Sequence, residues 1–197
     1  VWALVLFGGF IFGQPDAAQS QRSPTWMRMA SSAVLVVAAW SWWLAGVQDK
    51  GMALLIAVGM SLGFLGDLFM AGLLPASPRV LWGMGAFGLG HVAYIAAFMR
   101  LANVLGLTAN GPRLAAWLAW LLIGAVGWYL VVFRGQQATA LHWAALPYAL
   151  LLASTAGLAS GLALQARTFI PPALGGALFL NSAPNPARAP VNGLAFP

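Results

Sequence analysis

The chain has 197 residues, of which 61% are hydrophobic and 6% charged, against about 25% charged in an ordinary soluble domain. That composition excludes a soluble globular protein, and the lack of cysteine excludes disulfide frameworks, thiolate metal sites and cysteine nucleophiles. The formal charge of +6 comes from isolated Arg and Lys residues at the edges of apolar windows, the distribution of membrane flanks rather than of a nucleic-acid patch, so no nucleic-acid partner is expected.

Those cations punctuate the chain. The windows 29–47, 52–74, 80–99, 114–133 and 141–164 are each long enough to cross about 30 Å of hydrocarbon as a helix. Two shorter apolar pieces, Val1 to Gly13 and Thr168 to Leu180, fall short of the roughly 20 residues a span needs. The first lacks the basic flank and cleavage site of a secretory signal, and reads as a helix missing some residues or a chain begun at a non-Met codon. The fold class expected is all-α: a polytopic transmembrane helical bundle of about seven spans, the last incomplete, forming one domain over residues 1–180. Short connections, with Pro75 and Pro78 bracketing one and Gly111-Pro112 opening a helix, make sequential helices antiparallel neighbours. Lys and Arg divide almost evenly between alternate loops, so the positive-inside rule selects no orientation. From Asn181 the chain turns polar, with three prolines between Pro184 and Pro190. No helix runs through such a stretch, and 181–197 reads as a disordered tail, the kind a frameshift or shortened reading frame leaves.

Ionisable groups inside the spans are the candidates for chemistry. Asp16 and Asp49 read as solvated loop charges, whereas Asp67, in the stretch Ser61 to Met70, lies about two turns inside an otherwise apolar window. A carboxylate there costs about 2.5 to 3.5 kcal/mol on insertion scales, so it should face the bundle interior or a wet cavity. It reads as a general acid; the plain alternative is a protonated Asp hydrogen-bonding between helices. Gly59, Gly63 and Asp67 recur every four residues and share a face, either for close helix packing or to clear room for a lipid chain. In the next window His91 and Tyr94 share a face with Gly88. An untilted hairpin puts Ala86 level with Asp67 and His91 five residues deeper, about 7.5 Å along the axis, so no direct Asp67 to His91 hydrogen bond is expected. His142, beside Trp143, reads as an interfacial residue, while Tyr148 follows a kink-forming Pro147. Most Trp and Phe residues read as lipid-facing or packing groups. Gly83 to Gly88 fits GxGxxG and Gly59 to Gly63 fits GxSxG, but inside apolar helices neither has the strand-to-helix turn its chemistry requires. Glutamate is absent, and neither a metal nor another cofactor is expected.

Taken in order, Gly66-Asp67, then Phe87-x-x-x-His91-x-x-Tyr94-x-x-x-Phe98, Tyr148-Ala-Leu and Leu174-Gly-Gly-Ala-Leu-Phe179 resemble the YhhN-like lysoplasmalogenase family across most of residues 29–182. The resemblance implies a helical membrane fold of about eight spans and hydrolysis of the vinyl ether bond of lysoplasmalogens to a fatty aldehyde and a glycerophospho-headgroup. It implies catalytic roles for Asp67, as the acid, and His91, with Tyr94, Tyr148, Gly63, Gly66 and Ser182 at the substrate. Membrane lipids and a lysophospholipid substrate would be the partners. Family members carry a Ser-Asp pair after the glycine and Phe motif, then a final helix; this chain reads Asn181-Ser182-Ala183-Pro184 there. A non-catalytic lipid binder or small-solute carrier is therefore the competing expectation. A transporter would show two related halves, and no internal repeat is visible. The Ala-, Gly- and Arg-rich, Lys-poor composition points to a GC-rich bacterial genome and hence a cytoplasmic membrane.

Overall fold

A computed structural model describes residues 14–15, 21–22, 24–135 and 139–181. Residues 14–15 and 21–22 form a minimal antiparallel pair, β1 and β2. The body is helical: α1 (Thr25–Leu44), α2 (Lys50–Met70), α3 (Arg79–Val104), α4 (Asn110–Gly127), α5 (Ala140–Ala163) and α6 (Ile170–Asn181). A π-helical turn, Trp128–Phe133, prolongs α4, and a 3₁₀ turn, Arg167–Phe169, leads into α6. Among the described residues, α1, α2, α3, α4 with its π turn, and α5 are long and apolar enough to cross a membrane. The expected five full windows are therefore present, and the count of about seven is not confirmed. At 12 residues α6 is too short to span, Val1 to Gly13 lie outside the described residues, and so does all of the expected tail except Asn181, which closes α6.

The short connections have a local cause. At the end of α2, Ala71 donates to the Asp67 carbonyl and Leu73 to Leu68, with Gly72 between them at φ 71°; only a residue without Cβ adopts that left-handed turn cheaply. The same device closes α3 at Gly106, φ 67°, with Leu107 donating to Ala102. Consecutive helices thus fold back as hairpins, α1 on α2, α2 on α3, α4 on α5 and α5 on α6, while α3 and α5 meet to join the halves.

Small residues make these approaches possible. The buried set is dominated by Ala and Gly: Ala53, Ala57, Gly59 and Gly66 on α2, and Gly83, Ala86, Gly88, Gly90, Ala93 and Ala97 on α3. A Cβ built on Gly90 would lie 3.1 Å from the Gly59 carbonyl oxygen, and one on Gly161 only 2.7 Å from the Cα of Arg113. In hydrocarbon, where burying a Leu gains nothing over leaving it against lipid, such close backbone packing is what holds helices together. The large apolar side chains accordingly face outward, among them Val37, Leu89, Leu122 and Leu178.

Tryptophan adds polar ties. Trp40 Nε1 donates to Ser61 Oγ, Trp117 to Ser154 and Trp120 to Ser160, each at 3.0 Å and each between neighbouring helices. Trp128 donates to the His142 carbonyl at 2.8 Å and packs with Phe133 and Trp143. These indoles are more than the packing groups the sequence reading made of them: an N–H in an apolar medium needs an acceptor, and the Ser hydroxyls supply it.

Asp49 is a correction to the sequence reading. It stands in a loop but is not a free solvated charge. Its Oδ1 accepts from the Met52 N–H at 3.0 Å, capping α2, and both oxygens accept from Arg100 Nε at 2.6 and 2.9 Å. Gly51 leaves room for the guanidinium, which a Cβ would meet at 2.5 Å. The Met52 N–H and then the Arg100 guanidinium hold the carboxyl below its ordinary pKa. A pKa depressed by folding stabilises the protein above the unfolded carboxylate pKa, and that gain is lost as pH falls through the folded value. Asp49→Asn is expected to melt at a lower temperature than the parent at pH 7, with the gap closing below the carboxylate range. A constant gap from pH 7 down to pH 3, measured by thermal unfolding in detergent, would contradict this.

Candidate active site

The hairpin of α2 and α3 opens towards α1, α5 and α6 around a partly open cavity of about 540 Å³. Apolar groups dominate its wall, including Leu35, Ile56, Phe64, Phe87 and Phe98, and its polar members are Ser32, Asp67, His91, Tyr94 and Thr155. Two of the glycines at the wall, Gly63 and Gly175, have nothing within 4 Å of a built Cβ. The volume beside Gly63 is therefore cavity rather than neighbouring helix.

Asp67 is half-buried, and its Oδ2 accepts from Ser32 Oγ on α1 at 2.5 Å. His91 is held from the other side: its Nδ1 lies 3.0 Å from Thr155 Oγ1 on α5. Rings enclose the imidazole, with centroids of Tyr94, Tyr148 and Phe179 at 5.9, 6.4 and 5.7 Å. Asp67 and His91 thus line one cavity, each bonded to a different helix, as the hairpin offset leads one to expect. The packing carries that offset: Gly66 meets the Phe87 ring, whereas Gly90 meets Gly63 and Gly59, about one and two turns deeper on α2.

The candidates from the sequence distribute unevenly. Asp67, His91, Tyr94 and Gly63 come together at the cavity. Tyr148 reaches the imidazole without being part of the wall. Gly66 is buried under Phe87, where a Cβ would sit 2.9 Å from ring carbons, so its contribution is to helix packing. Gly59 likewise admits the Tyr94 ring. The glycine stripe therefore serves both purposes that the sequence left open, packing at Gly59 and clearance at Gly63. Ser182 lies outside the described residues. His142 takes part in the capping box of α5, its Nδ1 accepting from the Thr139 N–H at 3.1 Å. Ser32 and Thr155, which anchor the two central groups, were missed; the only hint was a hydroxyl residue in an apolar window. Pro172 and Gly176 on α6 complete the wall; the sequence reading singled out Gly176 only as part of the Leu174 to Phe179 motif and passed over Pro172.

A carboxyl and an imidazole line one apolar cavity between long apolar helices, and together they define a helical membrane protein with a polar pair set in an apolar pocket. Residues 24–183 match the YhhN family, and the chain belongs to it. No curated protein and no solved structure matches the chain. The family resemblance drawn from the ordered motifs is thereby borne out, over slightly more of the chain than those motifs cover.

Proposed function

We propose that the protein is a membrane hydrolase that cleaves the vinyl ether bond of lysoplasmalogens, in a bacterial cytoplasmic membrane. The observation that carries this reading is the pairing, in one apolar cavity, of a carboxyl on α2 with an imidazole on α3, held apart by the hairpin offset. Family membership supports it.

The chemistry follows from the substrate. A vinyl ether is activated by protonation of the alkene carbon distant from oxygen, which leaves an oxocarbenium-like cation. Asp67, as the neutral acid, gives that proton to carbon. The resulting carboxylate and the faces of the surrounding aromatic rings stabilise the cation. Water then adds to the cationic carbon while His91 takes its proton. In the hemiacetal so formed, Asp67 recovers a proton from the hydroxyl as His91 returns one to the departing glycerol oxygen. One water is consumed, and a fatty aldehyde and a glycerophospho-headgroup leave. The cavity keeps the alkyl chain and the cation away from bulk water.

The test is release of fatty aldehyde from lysoplasmenyl-ethanolamine or lysoplasmenyl-choline in mixed micelles. Enzyme-dependent aldehyde supports the reading; folded, helical protein that binds lysolipid and releases none overturns it. The second reading, a lipid binder without turnover, is favoured by one observation: among the described residues Asp67 is the one carboxylate at the cavity, and Asn181-Ser182-Ala183 stands where the family's Ser-Asp pair is expected.

A further inference from the structure

We infer that Thr155 is a positioning residue that fixes His91 as the Nδ1–H tautomer, so that Nε2 is the ring nitrogen able to accept a proton in the cavity. The inference deepens the proposed hydrolysis, and rests on it for the use made of that lone pair.

Thr155 Oγ1 makes two short contacts, 3.0 Å to His91 Nδ1 and 3.1 Å to the carbonyl oxygen of Leu151 one turn earlier on α5. The carbonyl can only accept, and the hydroxyl has a single proton. If that proton went to Nδ1, two oxygens would face each other at 3.1 Å with no hydrogen between them, inside a protein where Thr155 is 8% exposed. If it goes to Leu151, the hydroxyl lone pair is left to accept, and Nδ1 must carry the hydrogen. Only the second arrangement fills both contacts, and in a neutral imidazole it leaves Nε2 unprotonated.

The location of Nε2 follows from the same census. Among the described residues no side-chain nitrogen or oxygen is fully buried without a partner. Nε2 has no hydrogen bond to a described residue, so it is reachable, and His91 belongs to the cavity wall. Thr155 therefore does for His91 what an acceptor behind a catalytic histidine does elsewhere: it sets the tautomer and the ring plane from the side away from the reaction.

The test separates tautomer from activity. In ¹⁵N-labelled protein in detergent at a pH where the imidazole is neutral, two-bond ¹⁵N–¹H correlations identify the protonated nitrogen, with His91 signals assigned by their loss in His91→Asn. Parent and Thr155→Ser are expected to show Nδ1–H. Thr155→Val, equal in shape but without the hydroxyl, is expected to move His91 to the Nε2–H form and to lower aldehyde release about tenfold or more, while Thr155→Ser stays within about threefold of the parent. A parent spectrum showing Nε2–H, or a Thr155→Val spectrum unchanged from the parent, overturns the inference. A parent with the Nδ1–H signature but no aldehyde release upholds the tautomer and overturns the hydrolase reading instead.

Discussion

Asp67→Asn is expected to reduce aldehyde release by about 10² to 10⁴-fold, the range a positioned general acid contributes. The substitution preserves shape and the Ser32 contact, since an amide oxygen still accepts from Ser32 Oγ where the carboxyl does now, at 2.5 Å. What it removes is the acidic proton. Loss of turnover without loss of helix content or melting temperature would assign the proton to carbon to this residue. Ser32→Ala gives the complementary result. It keeps the acid but leaves Oδ2 without its donor, so the carboxyl is less firmly oriented, and about a tenfold loss is expected. Undiminished aldehyde release by Asp67→Asn, in protein purified free of other hydrolases, would remove Asp67 from the chemistry. The carboxyl would then be the interhelical hydrogen-bonding group that its contact with α1 already makes it.

How far the sequence could be read depends on what carries the signal. The five spans were legible because cations interrupt apolar windows, yet three helices overrun the interruptions. Helix α1 includes Arg28, in its first turn; α3 continues past Arg100, which pairs with Asp49; α4 begins before Arg113, whose guanidinium donates to Asn110 at 2.7 Å. A charge with a partner, or long enough to reach the interface, does not end a helix. Asp67, His91 and Tyr94 stood out because polar groups in hydrocarbon are costly. Ser32 and Thr155 did not, because a hydroxyl in any helix can bond its own preceding turn, as Thr155 does to Leu151. Periodicity also told which glycines share a face but not what lies opposite. Gly63 opens on the cavity while Gly66, three residues on, abuts Phe87. The depth of α6 against the cavity was unreadable for a related reason: Pro172, Gly176 and Phe179 acquire a role only through α5, against which α6 packs.

That contrast between glycines yields the second large effect. Gly63→Leu is expected to abolish lysolipid turnover, at least tenfold, while leaving the melting temperature at or above that of the parent. A Cβ at Gly63 meets nothing within 4 Å, and replacing Gly in a helix interior gains up to about 1 kcal/mol in helix propensity. The branched side chain then has one place to go, the 540 Å³ cavity beside Asp67 and His91. Gly59→Ala, one turn away on the same face, should do the opposite. Its methyl would overlap the Tyr94 ring, and overpacking of that kind costs about 1 to 3 kcal/mol. Thermal melts in detergent together with aldehyde release from substrates of graded chain length distinguish the two. Gly63→Leu should penalise long chains more than short ones, because it takes away volume rather than chemistry. If Gly63→Leu turns over every chain length at the parent rate, the cavity is not where the alkyl chain lies.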